Sequence, residues 1–185
     1  MEYLVRDLMV PISEYATVPV GSTLYEAVLA LEKAQEQYEH SKYRHRAILI
    51  MDKNKRVVGK LGQLDVLRAI ISGSPEMEDV EKIARFGFSS GFIASIREEY
   101  RLKGRHLNEI CMEPAKMRVE DFMQKPSAGE HIDGDSPLEQ AIYRLSMGPY
   151  LSLMVTKNDE IIGILRMTDV FAAVFHAMKE NENKV

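Results

Sequence analysis

The sequence predicts an α+β fold built from two copies of a β-α-β-β-α unit, with a helical segment inserted between the copies. Three stretches that each occur twice, and in the same order, lead to this prediction. The paired stretches are residues 5–9 (Val-Arg-Asp-Leu-Met) and 119–123 (Val-Glu-Asp-Phe-Met), residues 22–28 and 136–142, and residues 53–66 and 157–170. A single match of this length could arise by chance, but three matches in the same order along the chain indicate an internal repeat.

The spacing of the matches defines the expected organisation of the chain. The first two pairs are offset by 114 residues and the third by 104, so copy one carries ten extra residues around positions 35–46. We therefore expect a first repeat at residues 1–73, a helical insert at 74–118, a second repeat at 119–180 and a polar tail at 181–185.

Hydrophobic patterning predicts the elements in order. Copy one is expected to contain a strand at 17–20, a helix at 24–37, strands at 47–51 and 57–61, and a helix at 65–71. The matching elements of copy two are a strand at 130–132, a helix at 138–147, strands at 151–156 and 160–166, and a helix at 168–178. Ser22 and Ser136 are natural N-caps, and Pro137 suits a first helical position. A unit of about sixty residues is too small to bury its own sheet, so the copies should pack sheet against sheet through their first long helices and strands.

The segment between the copies also has a helical pattern. Its apolar residues recur at helical spacing, as in Phe92, Ile96 and Tyr100, and Pro114 ends the pattern. This apolar content is too high for a solvated linker, which predicts two or three short helices.

The composition is that of a globular protein and argues against several classes. Lys and Arg total 24 against 28 Asp and Glu, a net charge of −4, so we expect no nucleic-acid partner. Cys111 is the single cysteine, which excludes an intrachain disulfide and fits a reducing compartment. The chain has no apolar run near the ~18–20 residues of a membrane span and no signal-peptide pattern, so we expect a cytoplasmic protein with no membrane partner.

The sequence contains no catalytic motif. It has no Gly-x-Ser-x-Gly element, no Walker loop and no dinucleotide-binding glycine set. The five histidines never fall at metal-ligand spacing with one another or with paired carboxylates. We therefore expect neither an enzyme nor a required metal or cofactor.

Several features of the two copies are similar to a tandem pair of CBS (cystathionine-β-synthase-type) domains, the Bateman module. They are the Asp-Leu-Met and Asp-Phe-Met leaders, the Glu-Ala and Gln-Ala-Ile helix starts, and the Val-Val-Gly and Ile-Ile-Gly hairpins that precede Asp65 and Asp169. The resemblance covers both repeats and leaves the insert unmatched. It implies two sites between the sheets, often for adenine nucleotides, and a homodimer.

Copy two carries the better of the two candidate sites. A helix that opens at Thr168 and Asp169 presents backbone N–H groups and a positive dipole end, which suit a phosphate. Asp169 is placed to accept hydrogen bonds from both ribose hydroxyls, and the guanidinium of Arg166 suits phosphate oxygens. The alternative is that Thr168 and Asp169 only cap the helix while Arg166 is a solvated strand end.

Copy one departs from the family pattern. Three residues before Asp65, where members usually have Ser or Thr, this sequence has Gly62, which loses a hydroxyl contact but permits close backbone approach. Arg44, His45 and Arg46 precede the central strand and are candidates to hold phosphates. Lys53, Lys55 and Arg56 are better explained as a solvated hairpin tip.

The first strand of each copy supplies the remaining candidates. His131 lies where family members often contact the nucleotide base, and Thr17 occupies the equivalent position of copy one. A packed or surface histidine is the alternative for His131.

Two hypotheses for function follow. The first is a regulatory module that senses AMP, ADP, ATP or a relative such as S-adenosylmethionine and modulates an unidentified effector protein. The second is a structural CBS-pair dimer with vestigial sites, which binds a partner through the helical insert. Dimerisation is expected through the closing helices of each copy, on faces that carry Val66, Ile70, Val170, Val174 and Met178.

Overall fold

The computed structural model of the chain describes residues 3–37, 44–72 and 106–182. Most of the predicted helical insert, residues 74–105, and the last residues of the polar tail lie outside the described residues. The helices are α1 (Val5–Leu8), α2 (Leu24–Gln37), α3 (Gln63–Ser72), α4 (Leu107–Met112), α5 (Leu138–Met147) and α6 (Met167–Glu182). The strands are β1 (Val10–Pro11), β2 (Thr17–Pro19), β3 (Ala47–Met51), β4 (Val57–Gly62), β5 (His131–Asp133), β6 (Ser152–Lys157) and β7 (Glu160–Arg166).

The tandem α+β organisation is confirmed by two sheets of matching design. The first sheet has the order β2-β3-β4 and the second β1-β7-β6-β5. In each, a short parallel strand flanks an antiparallel hairpin, and each hairpin has a register shift at the same place, between Ile50 and Met51 and between Val155 and Thr156. The repeat therefore extends from the sequence to the pairing of individual residues.

The two sheets face each other across a shared apolar cluster. Its buried members are Val10, Tyr15, Ala47, Leu49, Met154 and Ile164. This confirms that the copies pack sheet against sheet through their strands. The prediction that the first long helices also join the copies is wrong, because no described residue of α2 or α5 belongs to this cluster. Helix α2 packs instead on β2 and β3 of its own sheet.

Each sheet is completed by the leader of the other repeat. The N-terminal leader crosses to the second sheet, where β1 pairs with β7 and Val5 is fully buried in the core of that half. In return, Val119 is fully buried in the core of the first half, and Gln124 pairs with Lys60 of β4. The leaders therefore pack crosswise between the halves.

The crossing explains two of the repeated motifs together. A Cβ atom added at Gly59 would overlap the Sδ atom of Met123, and one added at Gly163 would lie 2.7 Å from the Sδ atom of Met9. The methionine of each leader thus packs against the hairpin glycine of the opposite repeat, where any side chain would be too large.

The predicted helix caps were wrong by one residue. Ser22 and Ser136 do not cap, because α2 and α5 begin at Leu24 and Leu138, one residue too far along for a cap at these serines. The backbone carbonyls of the two serines accept the N–H groups of Val119 and Val5, each at 3.0 Å, in the exchanged segments. Thr23 caps α2 instead: its Oγ1 accepts the Glu26 N–H at 3.2 Å, and its own N–H donates to Glu26 Oε2 at 2.7 Å. This backbone hydrogen bond lowers the pKa of Glu26. Pro137 occupies the N-cap position of α5 rather than the first helical position.

The closing helices expose only part of the face predicted for dimerisation: Met178 is exposed, while Ile70 and Val174 are half-buried. Val170 is buried and Val66 packs partly against the first core, so these two residues face inward. Exposed apolar residues form an outer stripe on each closing helix, made of Met167, Phe171, Phe175 and Met178 on α6 and of Leu64 and Leu67 on α3. None of the described helices is both long and apolar enough to cross a membrane.

Candidate functional site

Both repeats place an aspartate beside the apolar cluster between the sheets. The last hairpin strand leads directly into a helix, so that Asp65 and Asp169 are each the third residue of their helix. Gly62 pairs with Ala47, and Arg166 pairs with Ser152, at the ends of the two ladders. We call the residues around Asp65 the first site and those around Asp169 the second site.

In the second site, the two predicted ligand-binding side chains contact each other. The Nε and Nη2 groups of Arg166 donate to the Oδ2 and Oδ1 atoms of Asp169, both at 2.6 Å. The side chain of Arg166 is 8% exposed and that of Asp169 is 14% exposed. Such a bidentate pair is strong and directional because both partners are planar and charged. Arg166 is therefore not the solvated strand end of the alternative interpretation.

The first repeat contributes to the second site. His45 is fully buried and its ring centroid lies 4.5 Å from that of Tyr15. Burial lowers the pKa of His45, and the Arg166 guanidinium lowers the pKa further, while the backbone carbonyl of Glu14 and the carboxylate of Asp169 act in the opposite direction. The charges of the ion pair in one repeat thus act on a buried histidine of the other repeat.

In the first site, neutral donors hold the aspartate. Asp65 Oδ2 accepts the N–H of Gly62 at 2.8 Å, and its Oδ1 accepts the side-chain amide of Gln124 at 2.7 Å. A Cβ at Gly62 would lie 3.2 Å from Asp65 Oδ2, so the glycine does permit a close approach. Arg46 is exposed, and its backbone carbonyl accepts the N–H of Gln63 at 3.0 Å, which places its backbone beside this turn.

A buried polar cluster lies next to the first site. Lys60 forms an ion pair with Glu130 and lies 3.3 Å from Ser152 Oγ, so the cluster joins the two sheets. The side chains of Lys60 and Glu130 are only 13% and 7% exposed. When the two repeats are exchanged, these three positions correspond to Ile164, Ala16 and Ala47, all buried and apolar. The two sites are therefore unlike in charge.

The remaining predicted residues lie apart from the aspartates. His131 Nδ1 lies 2.9 Å from the backbone carbonyl of Ser127, and its own carbonyl accepts the guanidinium of Arg144. Thr17 is exposed on β2, and Thr168 is half-buried at the second residue of α6. Among the hydrogen bonds and ion pairs of the described residues, none joins Thr17, Thr168 or His131 to either aspartate. No group of three or more potential metal ligands occurs in the described part of the chain.

Sequence reasoning did not find several residues around the sites. Tyr15, Gln124 and Glu130 all come from segments that cross between the halves or lie at their junction. Only Lys60 gave a signal, as a charge on a strand otherwise rich in apolar residues.

The chain belongs to the CBS domain family, whose model matches residues 5–72 and 119–176. The protein is thus a tandem CBS pair, and the match indicates no catalytic family. No curated protein matches the sequence.

Solved structures of CBS-pair proteins share this fold. The CBS-pair protein CBSX2 from Arabidopsis thaliana has a TM-score of 0.60 at 17% identity, over 97% of this chain and 99% of that chain. A structure of CBSX2 in complex with AMP has a TM-score of 0.58 at 18% identity, over 95% and 98%. A CBS-domain-containing protein from Agrobacterium tumefaciens has a TM-score of 0.57 at 16% identity, over 92% of each chain.

Proposed function

We propose that this CBS pair is a cytoplasmic regulatory module that binds an adenine nucleotide and modulates an effector protein. The observation that carries the proposal is an aspartate in each repeat, with a side chain no more than 14% exposed, at the third residue of the helix that follows the hairpin. A carboxylate in this position accepts hydrogen bonds from ribose hydroxyls, as acidic residues do in dinucleotide-binding folds. The AMP complex of a protein with the same fold names the class of ligand to test first.

Within this proposal the second site binds more tightly than the first. It combines Asp169, the N-terminal amides of the sixteen-residue helix α6 and a cationic side chain in Arg166. The first site offers Asp65 neutral donors, and its nearest guanidinium, that of Arg68, lies 3.7 Å away and is exposed. Four residues stay secondary candidates. The backbone of Thr168 would contact the phosphate in the second site, and Arg46 would do so in the first. His131 and Thr17 would contact the base, one in each repeat.

Asp169→Asn is expected to weaken the binding of AMP by about tenfold to a hundredfold, because a charge-assisted hydrogen bond contributes about 1.5–3 kcal/mol. Asn keeps an acceptor for Arg166 and so limits the loss of stability. Isothermal titration calorimetry with AMP, ADP, ATP and S-adenosylmethionine, well below the melting temperature, measures the effect.

Asp65→Asn is the matched control and should change the affinity less. Strong binding by Asp169→Asn together with lost binding by Asp65→Asn would show that the tighter site is the first one. If the wild-type protein binds none of the four ligands, nucleotide sensing is wrong and the structural alternative takes its place.

The structural alternative has one observation in its favour. Both aspartates have donors from the protein itself, Gly62 and Gln124 for Asp65 and Arg166 for Asp169. A pair of sites that needs no ligand to satisfy its buried carboxylates is consistent with a CBS pair that only assembles with partners.

We also propose that the chain forms a homodimer through the outer stripe of the closing helices. The stripe on α6 follows helical spacing, and Phe171 is 68% exposed, so water contacts a continuous apolar surface unless a partner covers it. A second copy presents the same stripe, which suits a symmetric interface.

Phe171→Ser/Phe175→Ser is expected to raise the dimer dissociation constant by at least about a hundredfold, since each buried Phe contributes about 1.5–3 kcal/mol and each change occurs twice. Light scattering should change from twice the 21.1 kDa chain mass to the single mass. Val20→Ser, exposed at the end of β2, is the control and should leave the dimer intact. A wild-type protein that is monomeric at micromolar concentration would contradict the proposal.

A further inference from the structure

The shared design of the two halves creates a problem of partner choice. Both halves present a sheet of the same kind, and the methionine of each leader packs against the hairpin glycine of the other half. These two contacts are alike, Met123 with Gly59 and Met9 with Gly163. Two chains can therefore also join repeat one to repeat one and repeat two to repeat two, which we call homotypic pairing. Misassembly of this kind is a characteristic failure of repeat proteins.

One contact between the halves is charged, whereas its counterpart is apolar. Lys60 of repeat one forms an ion pair with Glu130 of repeat two, and its Nζ atom lies 3.3 Å from Ser152 Oγ, also in repeat two. Lys60 lies opposite Leu49 in the β3–β4 ladder, and Leu49 belongs to the apolar cluster between the sheets. Directly opposite residues share a face of a sheet, so Lys60 projects from the face that meets the other repeat.

Homotypic pairing deprives both charges of their partner. The residue of repeat one that corresponds to Glu130 is Ala16, so a second copy of repeat one places a methyl group where Lys60 needs a carboxylate. In a pairing of repeat two with itself, Glu130 meets Ile164 in place of Lys60. The side chains of Lys60 and Glu130 are only 13% and 7% exposed. Loss of one partner from a buried ion pair is strongly unfavourable, and homotypic pairing incurs this penalty in both halves.

The leader of repeat two adds a contact with the same preference. The side-chain amide of Gln124 donates to Asp65 Oδ1 at 2.7 Å, and the corresponding residue of the first leader is Val10. A second copy of repeat one would thus bring an apolar side chain to Asp65, whose side chain is 10% exposed. Both contacts favour the pairing of unlike repeats.

We infer that the Lys60–Glu130 ion pair makes the inter-sheet face of repeat one accept repeat two and reject a second copy of repeat one. The pair then determines the partner more than the stability, because a whole buried ion pair is often replaceable by apolar residues at little cost. Single polar groups in the apolar seam of coiled coils select the partner in the same way.

The test moves the carboxylate from repeat two to repeat one. The variant Ala16→Glu/Glu130→Ala has the composition of wild type, but its Lys60 finds an anion only in repeat one of another chain. After refolding from urea, its ratio of paired to single chains should exceed that of the parent by at least about a hundredfold. Light scattering then reports twice the chain mass in place of 21.1 kDa. Parent and variant both carry Phe171→Ser/Phe175→Ser, so that the outer stripe does not contribute to the mass.

Moving the cation as well provides the matched control. Lys60→Ile/Ile164→Lys, added to Ala16→Glu/Glu130→Ala, exchanges both charges between the repeats and allows them to pair within one chain again. This variant should return to single chains. Native mass spectrometry of 15N-labelled and unlabelled chains identifies the pairing, since homotypic pairs of mixed label form when the chains are mixed in urea but not when they are mixed after folding. A folded Ala16→Glu/Glu130→Ala variant that stays a single chain overturns the inference.

A second measurement applies if neither variant with Ala16→Glu folds. Lys60→Ile/Glu130→Ala/Ser152→Ala removes both charges and the hydroxyl, and with them the penalty on homotypic pairing. Its ratio of paired to single chains after refolding should exceed that of the parent by at least about tenfold at the same concentration. Equal ratios in this variant and its parent would show that the ion pair has no part in partner choice.

Discussion

Residues 1–75 expressed alone are expected to be unfolded or to aggregate. The fragment contains the first sheet but not the second leader, so its core lacks Val119 and the Met123 side chain that packs on Gly59. Its own leader has no sheet to join, because β1 pairs with β7 of the missing half. A fragment of this size buries too little apolar surface to be a stable domain. The loss of the second leader reduces the buried surface of its core further.

Circular dichroism and thermal melting of the fragment measure this outcome. Mixing it with residues 106–185 is the matched control, since the second fragment supplies the 119–124 segment and the sheet that the first leader needs. We expect the mixture to form a folded one-to-one complex. A soluble fragment 1–75 that melts cooperatively as a monomer would contradict the crosswise packing.

The periodicity of the sequence was sufficient to predict the elements that depend on local patterns. Helices α2 and α5 and strand β3 begin and end where hydrophobic spacing placed them. Strand β5 begins one residue later than predicted because Glu130 belongs to a 3-10 turn. The repeat itself could be found because two copies of one unit need the same apolar positions and the same turn residues.

The crosswise packing could not be predicted from the same patterns. A leader has the same sequence whether it packs on its own sheet or on its twin's, so the motif alone does not distinguish the two arrangements. The caps were missed for a local reason, since α2 and α5 begin two residues after Ser22 and Ser136.

Within the second site, only the contact between residues close together in the sequence could be predicted. The spacing of Arg166 and Asp169 places the two residues on one turn of chain, and the structure brings them together. The position of His45 depends on how the two sheets meet, and this residue lies far from Arg166 in the sequence. Partners of this kind are set by tertiary packing, which hydrophobic periodicity does not encode.

Lys60→Ile alone is expected to lower the free energy of unfolding by about 3–5 kcal/mol, which is typical when one partner of a buried ion pair is removed. The change leaves the carboxylate of Glu130, 7% exposed, without its cation at the junction of the two sheets. Urea denaturation followed by circular dichroism measures the loss. The exposed ion pair of Arg6 with Asp135 provides the control, because Asp135→Asn should change stability by less than about 1 kcal/mol.

The internal repeat shows how to restore the stability that Lys60→Ile loses. When the two repeats are exchanged, Lys60, Glu130 and Ser152 correspond to Ile164, Ala16 and Ala47, which are buried and carry no charge. The triple variant Lys60→Ile/Glu130→Ala/Ser152→Ala copies this solution and is expected to be at least as stable as wild type, because replacing a whole buried ion pair by apolar residues is often neutral or stabilising by about 1–4 kcal/mol. A triple variant as unstable as Lys60→Ile would show that the ion pair itself holds the sheets together. A Lys60→Ile variant as stable as wild type would show that water reaches Glu130.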